Sequence, residues 1–178
     1  MSVPVSAGSP GSGALSGGQV GSGSRPAGMN SMARLDLGIS LLVPDGWNID
    51  GDESRIRLFG PPEDGRRPTF TLLQGEPEAD GEQWFTGFRE AAVERIAATA
   101  MSFERLSVDR FVLSSFVDVT ALHYRRDEGG APVSQLQAYL WASSSRMLVA
   151  DAATARTHEA RDLPIFDAIL ASVRLLPL

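Results

Sequence analysis

Residues 115–142 read SFVDVTALHYRRDEGGAPVSQLQAYLWA, and the fold turns on this stretch. Residues 115–126 are rich in Phe, Val, Thr, Leu and Tyr, side chains that suit a pleated, half-buried surface. Asp127-Glu128-Gly129-Gly130 is a hairpin turn signal, since glycine accepts the left-handed backbone that a tight turn requires. Residues 132–142 return as a second strand. Side chains alternate along it. Ser134, Leu136, Ala138 and Leu140 point one way and read as core. Val133, Gln135, Gln137, Tyr139 and Trp141 point the other way. That second set mixes amides with aromatic rings, which offer large contact area and a polar handle. It reads either as a surface that meets a partner or as a face under a helix that satisfies the two amides.

The pattern extends in both directions. Upstream, Leu37, Ile39, Leu41 and Val43 alternate as in a half-buried strand, and Pro44-Asp45-Gly46 ends it before Trp47. Residues 54–59 and 68–74 predict two further strands around the loop 60–65. Trp84, Phe85, Phe88, Ala92 and Ile96 recur at helical spacing over 80–97 and form one apolar stripe. Asp80 and Gln83 have the spacing of a capping box at its start. Residues 103–113 predict a strand with a break near Ser107–Arg110. Downstream, 146–153 has strand length, though its alanines leave helix open. A last helix is expected to start at Asp162, with Pro164 in its first turn and Ile165, Phe166, Ile169 and Leu170 facing the core. The order β-β-β-α-β-β-β-β-α implies an α+β domain with a mainly antiparallel sheet flanked by helices.

That domain is expected over 33–178. Residues 1–31 contain eight Gly, eight Ser and three Pro. Such a segment cannot bury enough apolar surface to offset its ordering entropy, so 1–32 is predicted to be a disordered tail. Met29 and Met32 offer alternative starts just before the patterned region.

Composition narrows the chemistry. The 178 residues include no Cys, and all 16 basic residues are Arg. Disulfides, thiolate nucleophiles, a Schiff-base lysine and the lysine-dependent phosphate loop are therefore excluded. A net charge of −6 and the absence of a basic stripe argue against nucleic acid. No run approaches the roughly 18 apolar residues of a membrane span. The first 24 residues carry no basic residue and no apolar core of a secretory signal, which points to a cytoplasmic protein.

No Gly-x-Ser-x-Gly elbow is present. A hydrolase would use His123 with Asp118 or Tyr124, yet Asp118 and Tyr124 share one strand face and His123 points to the other, which leaves only partners from other strands. Asp45, Asp50, Asp52 and Glu53 lack the spacing of a calcium loop and read as a solvated acidic loop. Glu76, Glu78, Asp80 and Glu82 precede the first helix, where they favour its positive end. No catalytic residue, cofactor or metal is expected.

With these elements in place the chain resembles the Mog1/PsbP-like proteins, including the bacterial DUF1795 and LpqN/DcrB groups. The resemblance rests on Val43-Pro44-Asp45-Gly46-Trp47, on Gly129-Gly130-x-x-Val133-x-Gln135-x-Gln137, and on the closing Pro164-Ile165-Phe166-Asp167-Ala168-Ile169-Leu170-Ala171-Ser172-Val173-Arg174. It covers roughly 35–176. It implies an α/β/α sandwich and a non-enzymatic role in binding or assembly. The expected function is a protein-binding module, a chaperone or adaptor for a secreted or toxin-like effector, with a homo-dimer compatible. Gln135, Gln137, Tyr139 and Trp141 are the expected partner contacts. The alternative is a small-ligand or lipid-binding domain with a cleft between the sheet and the helix 80–97.

Overall fold

A computed structural model describes residues 28–75, 77, 81–143 and 145–177. Its centre is the hairpin just quoted. β7 (Phe116–Glu128) and β8 (Ala131–Ser143) pair antiparallel, with Glu128 opposite Ala131. Gly129 (φ 58°) and Gly130 (φ 81°) form the two-residue turn, both in the left-handed region where a side chain is strained. β9 (Arg146–Ala155) continues on the far side of β8, so the alanine-rich 146–153 stretch is strand.

The earlier strands are β1 (Met29–Arg34), β2 (Ile39–Pro44), β3 (Asn48–Asp52), β4 (Arg55–Phe59) and β5 (Thr69–Gly75). α1 (Glu82–Thr99) leads into β6 (Met101–Leu113), and α2 (Glu159–Ser172) is followed by the short β10 (Arg174–Leu175). Two antiparallel sheets result. One has seven strands in the order β3-β4-β5-β9-β8-β7-β6, and the other has three in the order β1-β2-β10. The architecture is a single α+β domain, as the element order implies.

Register assigns each side chain to a face. Leu136, Ala138 and Leu140 of β8 align with Ala152, Ala150 and Leu148 of β9 and with His123, Ala121 and Val119 of β7. This face meets α2 and the small sheet, and the main core forms there around Phe166, Ile169, Leu41, Ile56 and Phe70. Ala121, Ala138, Ala150 and Ala152 make a floor of small residues, which lets α2 approach closely enough to bury the Phe166 ring completely. On the opposite face α1 packs Phe85 with Tyr139, Trp141 and Met147 in a second, smaller cluster. The layers are therefore α1, the large sheet, then α2 together with the small sheet.

Several expectations change. Ordered structure begins before residue 33, because Met29–Arg34 pair with Ile39–Pro44 and bury Met29. Residues 1–27 lie outside the described residues, as do Glu76, Glu78 and Asp80. The expected capping box cannot be placed for that reason, and Gly81 (φ 101°) occupies the position before α1. Part of the acidic loop is β3. Asp52 caps the turn into β4, accepting from the Ser54 backbone and hydroxyl, and pairs with Arg55 at 2.9 Å. These bonds, the Ser54 hydroxyl first, hold its carboxyl below the usual range. α2 starts at Glu159 rather than Asp162. Pro164 thus stands inside the helix and supplies no N–H to the turn before it. Asp162 is buried, accepting from Thr154 on β9 and from Arg161. A buried carboxylate with these donors anchors the helix to the sheet instead of capping it.

Candidate binding surfaces

The face of β8 singled out from sequence is assembled as expected, but α1 closes it. Gln135 and Tyr139 are each 4% exposed and Trp141 is 8% exposed, while Gln137 is half-buried. Phe85 stacks on Trp141 with centroids 5.5 Å apart, and Phe88 meets Tyr139 edge-on at 5.4 Å. Of the four residues expected to contact a partner, α1 thus covers Gln135, Tyr139 and Trp141 and leaves Gln137 half-buried. The apolar stripe of α1 needs an apolar partner, and the aromatic rings of β8 supply it. The amides are not both satisfied, since Gln135 Oε1 has no hydrogen-bond partner among the described residues. Asp151 faces the same layer from β9, opposite Gln137. Burial pushes its carboxyl up, and pushes the Tyr124 and Tyr139 hydroxyls up to about 12.

Beside this layer lies a cleft of about 350 Å³ between α1 and the strands β6 and β7. Thr120 forms part of its lining. Its side chain is 3% exposed, and its Oγ1 has no partner among the described residues. Arg89 of α1 is also buried, and its Nη1 donates to Asp118 Oδ2. Arg110 of β6 donates to the same oxygen at 3.0 Å. One carboxylate therefore holds two guanidinium groups from opposite walls. Asp118 was a candidate partner for His123 in sequence; the structure gives it to the arginines.

His123 lies on the other face, as the strand period predicts. Its Nε2 is 2.9 Å from Asp167 Oδ1 on α2, and its Nδ1 is 3.1 Å from Ser107 Oγ on β6. Ser107 donates in turn to Asp109 Oδ2 at 2.8 Å. Sequence gave no sign of this constellation, because Ser107, His123 and Asp167 are brought together only by strand pairing and helix docking. The hydrogen bond to Asp167 raises the pKa of the imidazole, so the charged form is favoured. Ser107 has a single proton, so while it donates to Asp109 its contact with Nδ1 requires a proton on that ring nitrogen. Nearby, Glu159 takes a two-pronged bond from Arg125, each arm 2.7 Å, plus the Ser134 hydroxyl.

The open surface is β6. It ends the large sheet, so among the described residues one of its edges carries no neighbouring strand. Met101 is 73% exposed, Val112 72% and Val117 58%, with Leu106 and Val108 partly exposed between them. Register shifts interrupt its pairing between Met101 and Glu104, Arg105 and Ser107, and Phe111 and Leu113. The break expected near Ser107–Arg110 is corrected: Ser107–Phe111 pair without interruption with Val119–His123, and the bulges lie on either side of that stretch. Bulges and the charges at Glu104, Arg105, Asp109 and Arg110 are ways in which proteins keep an edge from indiscriminate pairing. The signal in sequence was the mixture of charges with apolar residues on both faces of one long strand.

No family model matches the chain, and none of the curated proteins matches it. Solved structures do. The cyanobacterial PsbP (CyanoP) of Synechocystis aligns with a TM-score of 0.61 at 16% identity, covering 89% of this chain and 98% of that one. LpqN of Mycobacterium tuberculosis, described as involved in cell envelope biogenesis, aligns at 0.58 and 15%, covering 84% and 91%. The Ran-binding protein Mog1p of Saccharomyces cerevisiae aligns at 0.58 and 9%, covering 83% and 95%. These likenesses establish a Mog1/PsbP-like fold. Among the described residues no helix is long and apolar enough to cross a membrane.

Proposed function

We propose that this chain is a non-catalytic protein-binding module of the cytoplasm, a chaperone or adaptor for a secreted or toxin-like effector. The carrying observation is the exposed apolar surface where β6 turns into β7, at Val112 and Val117, on a strand edge that has no neighbour among the described residues. Val112 and Val117 line one patch at the β6–β7 turn, with Met101 at the far end of the strand; exposed apolar surface marks interaction sites, and an open edge can accept an extended segment through main-chain hydrogen bonds. The Ran-binding neighbour Mog1p supports a binding role on the same fold. The contact surface is thus moved from Gln135, Gln137, Tyr139 and Trp141, which a partner could reach only if α1 gave way, to β6.

The test is affinity purification from the native host with wild-type chain and a Val112→Glu/Val117→Glu variant. Both side chains are exposed, so the variant should fold with the wild-type melting temperature. A specific protein should be retained by the wild type and lost by the variant. Equal retention by both would remove β6 from the interface. Recovery of no specific protein would count against the binding role. A small-ligand role is the second reading, favoured by the cleft that holds the unpartnered Thr120 hydroxyl.

A further inference from the structure

The α1–β6 cleft has two unpaired glutamates on its helical wall, beside the buried Arg89 that is tied to Asp118, and arginines on its strand wall. Glu90 and Glu94 are one helical turn apart on α1 and both line the cleft. Arg105 and Arg110 line it from β6. Arg110 is tied to Asp118, but Glu90, Glu94 and Arg105 make no ion pair within 4 Å among the described residues. The acidic and basic walls face one gap without neutralising each other. Between them Val93 and Val108 supply apolar surface, and the buried, unpartnered hydroxyl of Thr120 is available to donate or accept.

We propose that this cleft binds a small zwitterion whose ammonium and carboxylate are separated by a short apolar body, as in an apolar dipeptide or an ω-amino acid. The ammonium would lie against Glu90 and Glu94. The carboxylate would lie against Arg105, with the Thr120 hydroxyl donating to it and Arg110 completing the basic wall. A simple anion would meet Arg105 but also the two glutamates, and a simple cation would meet the reverse conflict. Only a ligand with both charges satisfies both walls at once. A volume of about 350 Å³ lies within the usual range for small-molecule sites. The inference is independent of partner binding at Val112 and Val117.

The experiment is a titration of the isotope-labelled full chain, followed by amide NMR, with the dipeptide Leu-Leu, its N-acetyl form, its C-terminal amide, and 6-aminohexanoate. Saturable shifts are expected around residues 89–94, 105–110 and 120. Blocking either end of Leu-Leu should weaken binding about tenfold, which corresponds to about 1.4 kcal/mol. If 6-aminohexanoate binds as tightly as Leu-Leu, the ligand is read through its two ends alone; if it binds at least tenfold more weakly, the peptide body is read as well. Arg105→Gln should abolish the preference for Leu-Leu over its amide. Glu94→Gln should abolish the preference over the N-acetyl form. Both positions are exposed, so folding should survive. Thr120→Val keeps the shape and removes the hydroxyl, and should weaken all carboxylate-bearing probes. Equal binding of blocked and free dipeptide, shifts outside the cleft, or no saturable shift would overturn the proposal.

Discussion

Glu159 shows how much a single side chain can do where chain segments converge. It sits at the first position of α2 and ties that helix to β7 through Arg125 and to β8 through Ser134. The Arg125 bonds are the main reason that its carboxyl is held down to about 2. A carboxylate depressed in the folded state contributes stability above its unfolded pKa of about 4.3, and that contribution disappears as pH falls through the folded value. Chemical denaturation of wild type and Glu159→Gln should therefore differ at pH 6 and converge as pH falls from about 4 towards 2. A difference independent of pH would mean that packing, not charge, explains the effect. None of these partners adjoins Glu159 in sequence, so the residue had no visible role there. The alternation that put His123 on the face opposite Asp118 and Tyr124 was legible, by contrast, because strand geometry is local. Its bonds to Ser107 and Asp167 were not.

At the level of elements, α1 is the informative case. Its apolar stripe was readable from spacing, and so were the two faces of β8. What neither pattern contained was that the stripe would settle on the aromatic side of β8. Trp141 and Tyr139 have the composition of an interface because they do form one, within the chain. Phe85 is fully buried and stacks on Trp141, so it pins the first turns of the helix. Phe85→Ala is expected to cost about 3–5 kcal/mol, the usual range for deleting a buried aromatic ring. Amide hydrogen exchange should rise across Trp84–Ile96 more than in β8. Uniform loss of protection across the molecule would show instead that α1 and the sheet unfold as one unit. β6 gives the complementary lesson. Its mixed pattern suggested a broken strand, whereas the bulges preserve a continuous one with an open edge.

The whole molecule extends further towards the N-terminus than composition suggested. Gly and Ser dominate residues 1–31, yet Met29–Ser31 pair with Leu42–Pro44 and form the edge of the small sheet opposite β10. Starts at Met29 and at Met32 are consequently not equivalent. A chain begun at Met32 loses half of β1 and the buried Met29 side chain, whose burial alone is worth about 1.5–3 kcal/mol. It should unfold at lower denaturant than a chain begun at Met29. Equal midpoints would place the functional boundary of the domain after residue 31.

Taken by itself, the sequence determined the α+β class, the antiparallel pairing, the glycine turn at 129–130 and the two faces of each central strand. These follow from backbone sterics and from side-chain periods of two and 3.6 residues, which act over a few neighbours. The tertiary structure alone decided which faces are closed and which are open. It placed α1 over Gln135, Tyr139 and Trp141, gathered Ser107, His123 and Asp167, set acidic and basic walls across one cleft, and left β6 at the edge. Those outcomes depend on which apolar surfaces find each other at long range, and on the buried charges and hydroxyls that must then find partners. No local pattern contains that information.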